Sequence, residues 1–450
     1  MANFIKYLRK TLLIFFITWG VIWLSMRAFN KVSKGDQGVF NRVLVELYRA
    51  PYNIKLWYNE NFLNEFQSTD VKPSDNIKPL GMFYDNDKVK DSIYLLHSVY
   101  HDQNNTKVLL QNIKTGTIEK SWNISLEVIR KDFDSIRKSI RLKSKTGEAT
   151  LNMDFYIPST NNAILIRTPF MLKDSSLIFH SQYLGFVYKI DKNSKFIWKS
   201  KRLTHHSLEV DSYGNFWTCS YDFENQKKNL YKYRDDAIYG LDKNGNEIFF
   251  KSLSQVFKEN KLFKSLIESS PIRNTKSGLD PFHLNDVQPV FKNGKNWKKD
   301  DLFLSIRDKS MVLLYRPVSN EIVWYKIGPW NKQHDVNIEN DSIISIFNNN
   351  ASFFDNKVSS SSSIMFYDFT SDETRNKFQG LFSSATEGRQ TIMEDQILIE
   401  ETNAGLYYLL GNEENLIGKF YVPFALDSSR AQYPSWSRVY QKDNGVYLEQ

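Results

Sequence analysis

Hydrophobic and polar positions divide the chain into three stretches. Residues 11–26, TLLIFFITWGVIWLSM, form one uncharged apolar run bounded by Lys10 and Arg27. At about 1.5 Å per residue such a helix is slightly short for a hydrocarbon core of about 30 Å, and snorkelling Lys10 and Arg27 with flanking Phe4, Ile5 and Phe29 extend its reach. Bulky Met26, Arg27 and Phe29 interrupt the only small-residue cleavage candidates. The pattern therefore predicts an uncleaved transmembrane signal anchor over 11–27, with residues 1–10 on the cytoplasmic side. Residues 28–80 mix helical spacing at Phe40, Val43, Leu44 and Leu47 with the aromatics Trp57, Tyr58 and Phe62, which predicts a membrane-proximal linker with a short helix.

From residue 81 the period changes to that of strands. Six segments share one signature: an apolar pair, a polar turn with Lys, Asn or Gly, then a second apolar pair. The clearest are FVYKIDKNSKFIWKS at 186–200 and AIYGLDKNGNEIFFKS at 237–252, where Asp191 and Asp242 open the turn. Looser copies lie at 107–122, 311–326, 362–382 and 405–421. Each reads as the outer hairpin of a propeller blade, so residues 81–450 are expected to form an all-β, six-bladed β-propeller. Two insertions, 125–142 and 253–270, carry helical spacing and are expected to pack on the propeller edge.

Composition agrees with short antiparallel strands, since aromatics make up 15% of the chain and Asn-Gly and Asp-Ser turns recur. The formal charge of +8 changes the picture less than it first suggests. Residues 1–34 hold six Lys/Arg and no acid, so only +2 remains for the rest, and nucleic-acid binding loses its main support. Charges flanking the anchor are nearly balanced and leave its orientation open, but a long following domain translocates largely regardless of them, so an exported body on the periplasmic face of the inner membrane is the expectation. The single cysteine, Cys219, forms no intramolecular disulfide, and no spacing suggests a metal site or a cofactor.

Propellers gather the starts of their inner strands around a central channel, so polar residues at that phase of each repeat meet in space. His205 and His206 open the third blade, His283 and Asn285 the fourth, and His334 the fifth, while Arg307 ends the next strand of the fourth. Four of the seven histidines thus aim at one channel mouth. His97, His101 and His180 do not share the position and read as structural.

The ordered series HHSLEVDSYGNFW, DPFHLNDVQ, LFLSIRDKSMVLL and WNKQHDVNI…IFNNN resembles the bacterial arylsulfotransferase family, nucleotide-independent six-bladed propellers, over roughly residues 160–420. The resemblance implies an aryl sulfate donor, a phenolic acceptor and a ping-pong route. His334 matches the histidine that becomes a sulfohistidine. Arg307, His283 and Asn285 match residues around the sulfuryl oxygens, and one of His205 and His206, His206 in preference, matches a further channel histidine. IFNNN stands where the family usually has an Asp-Asn-Gly turn. The chemistry is sound on general grounds: a neutral imidazole is a competent nucleophile, a forked guanidinium suits peripheral oxygens, and His283 or a channel histidine is available as acid. Gln333 and Asp335, the chain neighbours of His334, are expected to set its tautomer and aim. The competing reading is a non-catalytic, membrane-anchored platform, marked by His334 and Arg307 pointing apart or a plugged channel.

Overall fold

The computed structural model describes Gly20, residues 70–71 and 77–82, and 88–449 apart from 101–103, 146–165, 182–184, 223–232, 269–272, 276–277, 352–360, 383–387, 412–414, 425–426 and 444–445. The expected anchor at 11–27, Gly20 apart, and most of the linker at 28–80 lie outside the described residues. Among the described residues no helix is long and apolar enough to cross a membrane.

Six antiparallel sheets form the blades of a propeller. Blade 2 runs from the axis outward through Ile166–Met171, Leu177–Ser181, Val187–Ile190 and Phe196–Lys199. Blade 3 follows with Thr204–Val210, Phe216–Tyr221, Asp236–Leu241 and Glu247–Ser252. Leu284–Pro289, Leu302–Ile306, Met311–Arg316 and Glu321–Ile327 make blade 4. Blade 5 comprises His334–Ile338, Ile343–Asn348, Ser362–Asp368 and Glu373–Phe382, and blade 6 Gly388–Ile392, Gln396–Glu401, Leu406–Gly411 and Leu416–Tyr421. Blade 1 is composite. Its outer three strands are Ile93–Tyr100, Asn105–Asn112 and Ile118–Ser125, but its inner strand is Arg438–Asp443 from the far end of the chain. Val446–Glu449 adds antiparallel on the other side of Arg438–Asp443, so these two strands complete the blade and close the ring.

The six expected hairpins are the outer strand pairs of the six blades. Their turns are local. Asp191 Oδ1 accepts the backbone N–H groups of Asn193 and Lys195 at 2.8 and 2.9 Å, and Asp242 Oδ1 accepts those of Asn244 and Asn246, both at 2.8 Å. The aspartate thereby satisfies the donors that a tight turn would otherwise leave open. The ring also recruits chain upstream of residue 81: Lys78–Pro79 adds in parallel to the last strand of blade 6, and Asp70–Val71 pairs with Asp427–Gln432.

Apolar side chains on facing blades fill the spaces between sheets. Leu96, Leu110 and Trp122 of blade 1 pack with Leu177, Phe179 and Tyr188 of blade 2, and helix α1 (Leu126–Lys145) lays Leu126, Ile129 and Phe133 on the same cluster. Helix α2 (Leu253–Glu259) is capped by the Ser252 hydroxyl, which accepts from Gln255 N at 3.3 Å. It buries Leu253, Val256 and Phe257 with Phe263 and Ile267 of the following π-helical turn against blades 3 and 4. Both helical insertions are thus edge packing.

Polar staples tie neighbouring blades together. Asp236 accepts Leu284 N, Asp286 accepts Val336 N, and Asp335 accepts Gln390 N, at 2.8, 2.8 and 2.9 Å. Glu400 continues the series by accepting Trp436 N and Ser437 N at 2.8 and 2.7 Å, and Thr168 N donates to Ser435 O at 2.9 Å. Buried hydrogen bonds of this kind hold neighbouring blades together.

Candidate active site

The site is built from a repeated backbone irregularity. In blades 2 to 5 the inner strand is bulged near its start, with register shifts at Arg167/Phe170, His205/Leu208, Leu284/Asp286 and His334/Val336. Thr168, His206, His283 and Asp335 lie in or beside those bulges with left-handed φ angles of 46°, 55°, 55° and 49°, and Trp436 ahead of the blade 1 inner strand has 59°. A left-handed non-glycine residue costs free energy and re-aims its neighbours, and here it turns side chains into the channel that a regular strand would send between blades.

Three histidines converge there. The ring of His206 lies 5.1 Å from that of His283 and 6.3 Å from that of His334, centroid to centroid. Each has a partner on Nδ1. His334 Nδ1 is 2.6 Å from Asn349 Oδ1, His283 Nδ1 is 2.6 Å from Asp280 Oδ2, and His206 Nδ1 is 2.7 Å from His205 Nδ1. An amide oxygen and a carboxylate only accept, so His334 and His283 carry hydrogen on Nδ1. In neutral His334 the lone pair is then on Nε2. Burial, the nearby Arg307 guanidinium, and His283 and Arg167 hold His334 well below the usual imidazole range against the opposing Asn349 bond, so the ring is neutral at ordinary pH.

Cations line the same region. Arg307 Nη1 donates to Asp308 Oδ1 at 2.8 Å, and Lys332 Nζ reaches the same oxygen at 3.0 Å. Arg234 ion-pairs with Asp280 and lies 3.3 Å from His283 Nδ1. Burial pushes Lys309 down to about 8. Asn285 Nδ2 donates to Gln333 O at 2.8 Å, and its buried Oδ1 meets no hydrogen-bond partner among the described residues. Trp436, fully buried, stands edge-on to His334 at 6.3 Å. Asp280, His283 and Asp308 place possible ligand atoms within 4.8 Å of one another. Arg234, Arg307 and Lys332 already bond the two carboxylates, so this chain's own cations hold the face that a metal would need.

His206, His283 and His334 therefore come together, with the positive charge of Arg307 helping to keep His334 neutral, while Asn285 braces the loop before His334. His205 does not face the channel: its ring stacks on Tyr221 at 4.1 Å and 23°, and its Nε2 lies 3.1 Å from Ser220 O. His97 and His180 are structural, bonded to Gln111 and to Ser207 O and Thr204, whereas His101 lies outside the described residues.

The expected aim of His334 by its chain neighbours is corrected. Gln333 turns away to donate to Ser305 Oγ and Met311 O at 3.1 and 2.9 Å, and Asp335 serves the blade 6 staple and approaches Arg389 at 3.5 Å. The partner is Asn349 from the IFNNN turn. Its neighbour Asn348 holds the loop ahead of His334 by accepting Asn331 N at 2.8 Å. No repeat phase or motif in the sequence marks Arg167, Arg234 or Trp436. Asp280 alone carries a local signal, three residues before His283 in DPFH.

Residues 168–420, more than half of the chain, match the family described as Arylsulfotransferase (ASST). No curated protein sequence matches the chain. Among solved structures it is similar to the WD40 domain of Neurospora crassa Pan2, at 10% identity over 75% of this chain and 76% of that one, with a TM-score of 0.36. A nidogen/laminin complex is similar at 7% identity over 77% and 98% with a TM-score of 0.40, and streptogramin B lyase at 9% over 81% and 95%, also 0.40.

Proposed function

The chain belongs to the arylsulfotransferase family and is a sulfotransferase, and on that premise we propose that it moves a sulfuryl group from a phenolic sulfate ester to a phenolic acceptor through a sulfohistidine at His334. The observation that carries this reading is the neutral His334 ring, held on Nδ1 by Asn349 at 2.6 Å with its Nε2 lone pair available. In the first transfer Nε2 bonds to sulfur, the sulfur–oxygen bond to the aryl group breaks, and the departing phenolate takes a proton from His283, whose Nδ1 rests on Asp280. Arg307 neutralises charge on the peripheral oxygens, the main task in this class of displacement.

Asn349 has a second consequence. Its amide oxygen accepts a hydrogen bond but cannot take the proton, so sulfurylated His334 keeps Nδ1–H and a positive ring. A charged imidazole leaves sulfur more readily than a neutral one. The acceptor hydroxyl then attacks sulfur, the sulfur–nitrogen bond breaks, and its electron pair returns to Nε2. Trp436 offers an aromatic wall beside the reacting ring. On the same reading the run at 11–26 tethers the enzyme to the inner membrane with the propeller in the periplasm. Protease access to the body in intact spheroplasts tests that location.

The convergence of the His206, His283 and His334 rings, 5.1 and 6.3 Å apart through His206, supports catalysis over a mere platform. The test uses the full-length chain with 4-nitrophenyl sulfate, with and without phenol, beside His334→Asn. Sustained nitrophenol release that needs the acceptor and is lost in the variant is expected. Equal release by His334→Asn would sink the assignment.

A further inference from the structure

We propose that His205 is a positioning residue that sets the tautomer of His206, and that His206 thereby accepts the proton of the incoming hydroxyl. The inference rests on the sulfuryl-transfer reading above and assigns a step that it leaves open. Two Nδ1 atoms 2.7 Å apart must share one hydrogen. His205 decides which ring carries it. Its Nε2 lies 3.1 Å from Ser220 O, a carbonyl that can only accept, and 3.6 Å from Asp236 Oδ1, so Nε2 bears the hydrogen. Burial and the Arg234 guanidinium keep His205 neutral, which leaves a lone pair on its Nδ1.

His206 must then donate from Nδ1, and as a neutral ring it has a bare Nε2. Burial, His205, His283, His334 and Arg167 all hold it neutral. The charged and titratable groups acting on the pair include Arg167, Arg234, Asp236, His180, Tyr221, His283 and His334. A bare nitrogen cannot donate to a sulfuryl oxygen, but it accepts from a hydroxyl. The left-handed His206 backbone turns this ring toward His283 and His334, while Tyr221 stacks on His205 and stops it turning.

The proton balance closes. As the acceptor oxygen bonds to sulfur and the sulfur–Nε2 bond of His334 breaks, the hydroxyl proton passes to His206 Nε2, while the Nδ1–H of His206 keeps donating to the bare Nδ1 of His205. The imidazolium returns the proton to His283, 5.1 Å away ring to ring, which restores the acid spent on the previous departing phenolate.

The test separates the two transfers in the full-length protein. A ³⁵S-labelled 4-nitrophenyl sulfate loads the enzyme, and phenol discharges it. His205→Phe, which keeps a stacking ring without an acceptor, should slow discharge roughly 10²-fold, the low end of what a placed proton acceptor contributes, and slow loading far less. His205→Asn, whose Oδ1 can stand in for Nδ1, should restore most of the rate. In the wild type, ¹⁵N shifts should show His206 with Nδ1 protonated and Nε2 bare. A protonated Nε2 in the neutral ring, or unchanged discharge by His205→Phe, overturns the proposal. If His205→Phe fails to fold, the wild-type shifts and His205→Asn decide it. A wild type that never loads refutes the sulfohistidine reading itself, a different result from loading followed by normal discharge in the variant.

Discussion

Asn349 offers the most direct perturbation of the proposed nucleophile. Its side chain accepts from His334 Nδ1 at 2.6 Å, and both residues are buried. Asn349→Ala leaves that N–H without its acceptor at a cost of about 1–3 kcal/mol. At about 1.4 kcal/mol per factor of ten, full expression of that loss in the transition state slows turnover by roughly 5- to 150-fold. The backbone carbonyl of Asn349, which accepts Ser362 Oγ at 3.2 Å, is retained, so the turn itself should hold. Asn349→Asp separates orientation from charge. A carboxylate keeps the hydrogen bond but stabilises the imidazolium, raising a pKa that burial and Arg307 now hold well below 6.5. The sign follows: the wild-type nucleophile stays neutral as pH falls through 6.5, whereas the aspartate variant protonates sooner and gains an acid limb at higher pH. Initial nitrophenol release at saturating phenol, followed across pH, reads both effects. Wild-type rates in Asn349→Ala, or identical profiles for Ala and Asp, would refute the role given to Asn349.

Arg307→Lys keeps the charge but loses the fork, and kcat should fall roughly 10²-fold with little change in KM, in the range seen when one donor to developing charge is removed; an unchanged kcat counts against Arg307 on the sulfuryl oxygens. Gly388→Ala drives a Cβ into the Phe347 ring, which pairs across from His334, so the urea midpoint should drop by the equivalent of about 1–3 kcal/mol; an unaltered midpoint would mean that the ring moves freely. Buried His97 and His180 are pushed down to about 4 and about 3, so the unfolded chain binds more protons below pH 6.5 and stability falls as pH falls. His97 alone contributes about 3 kcal/mol of that loss by pH 3, and His97→Gln should flatten the acid side of a thermal-melt profile.

What the sequence displays depends on whether an interaction is local. Hairpins at 186–200 and 237–252 are legible because Asp191 and Asp242 bond turn donors two and four residues ahead. The composite blade 1 is not, since Arg438–Asp443 meets Ile93–Tyr100 across nearly the whole chain and nothing local marks the pair. The histidines follow the same logic at the scale of the repeat: their shared phase places them at one mouth, while the left-handed backbone at His206 and His283, and the seating of His205 behind His206 on the Tyr221 ring, have no residue signature. Phase also explains why chain neighbours misled. Successive residues of a strand face opposite ways, so Gln333 and Asp335 are among the residues least able to touch the His334 ring. Residues that can reach it come from the next strand, where Phe347 lies opposite His334 in register and Asn349 follows two places on, on the same side. In a repeat that sends polar residues to a common axis, the partner of a catalytic side chain is therefore better sought just past the end of the adjacent strand than beside it in sequence. IFNNN sits at that position, with Asn348 holding the loop ahead of His334 and Asn349 holding the ring.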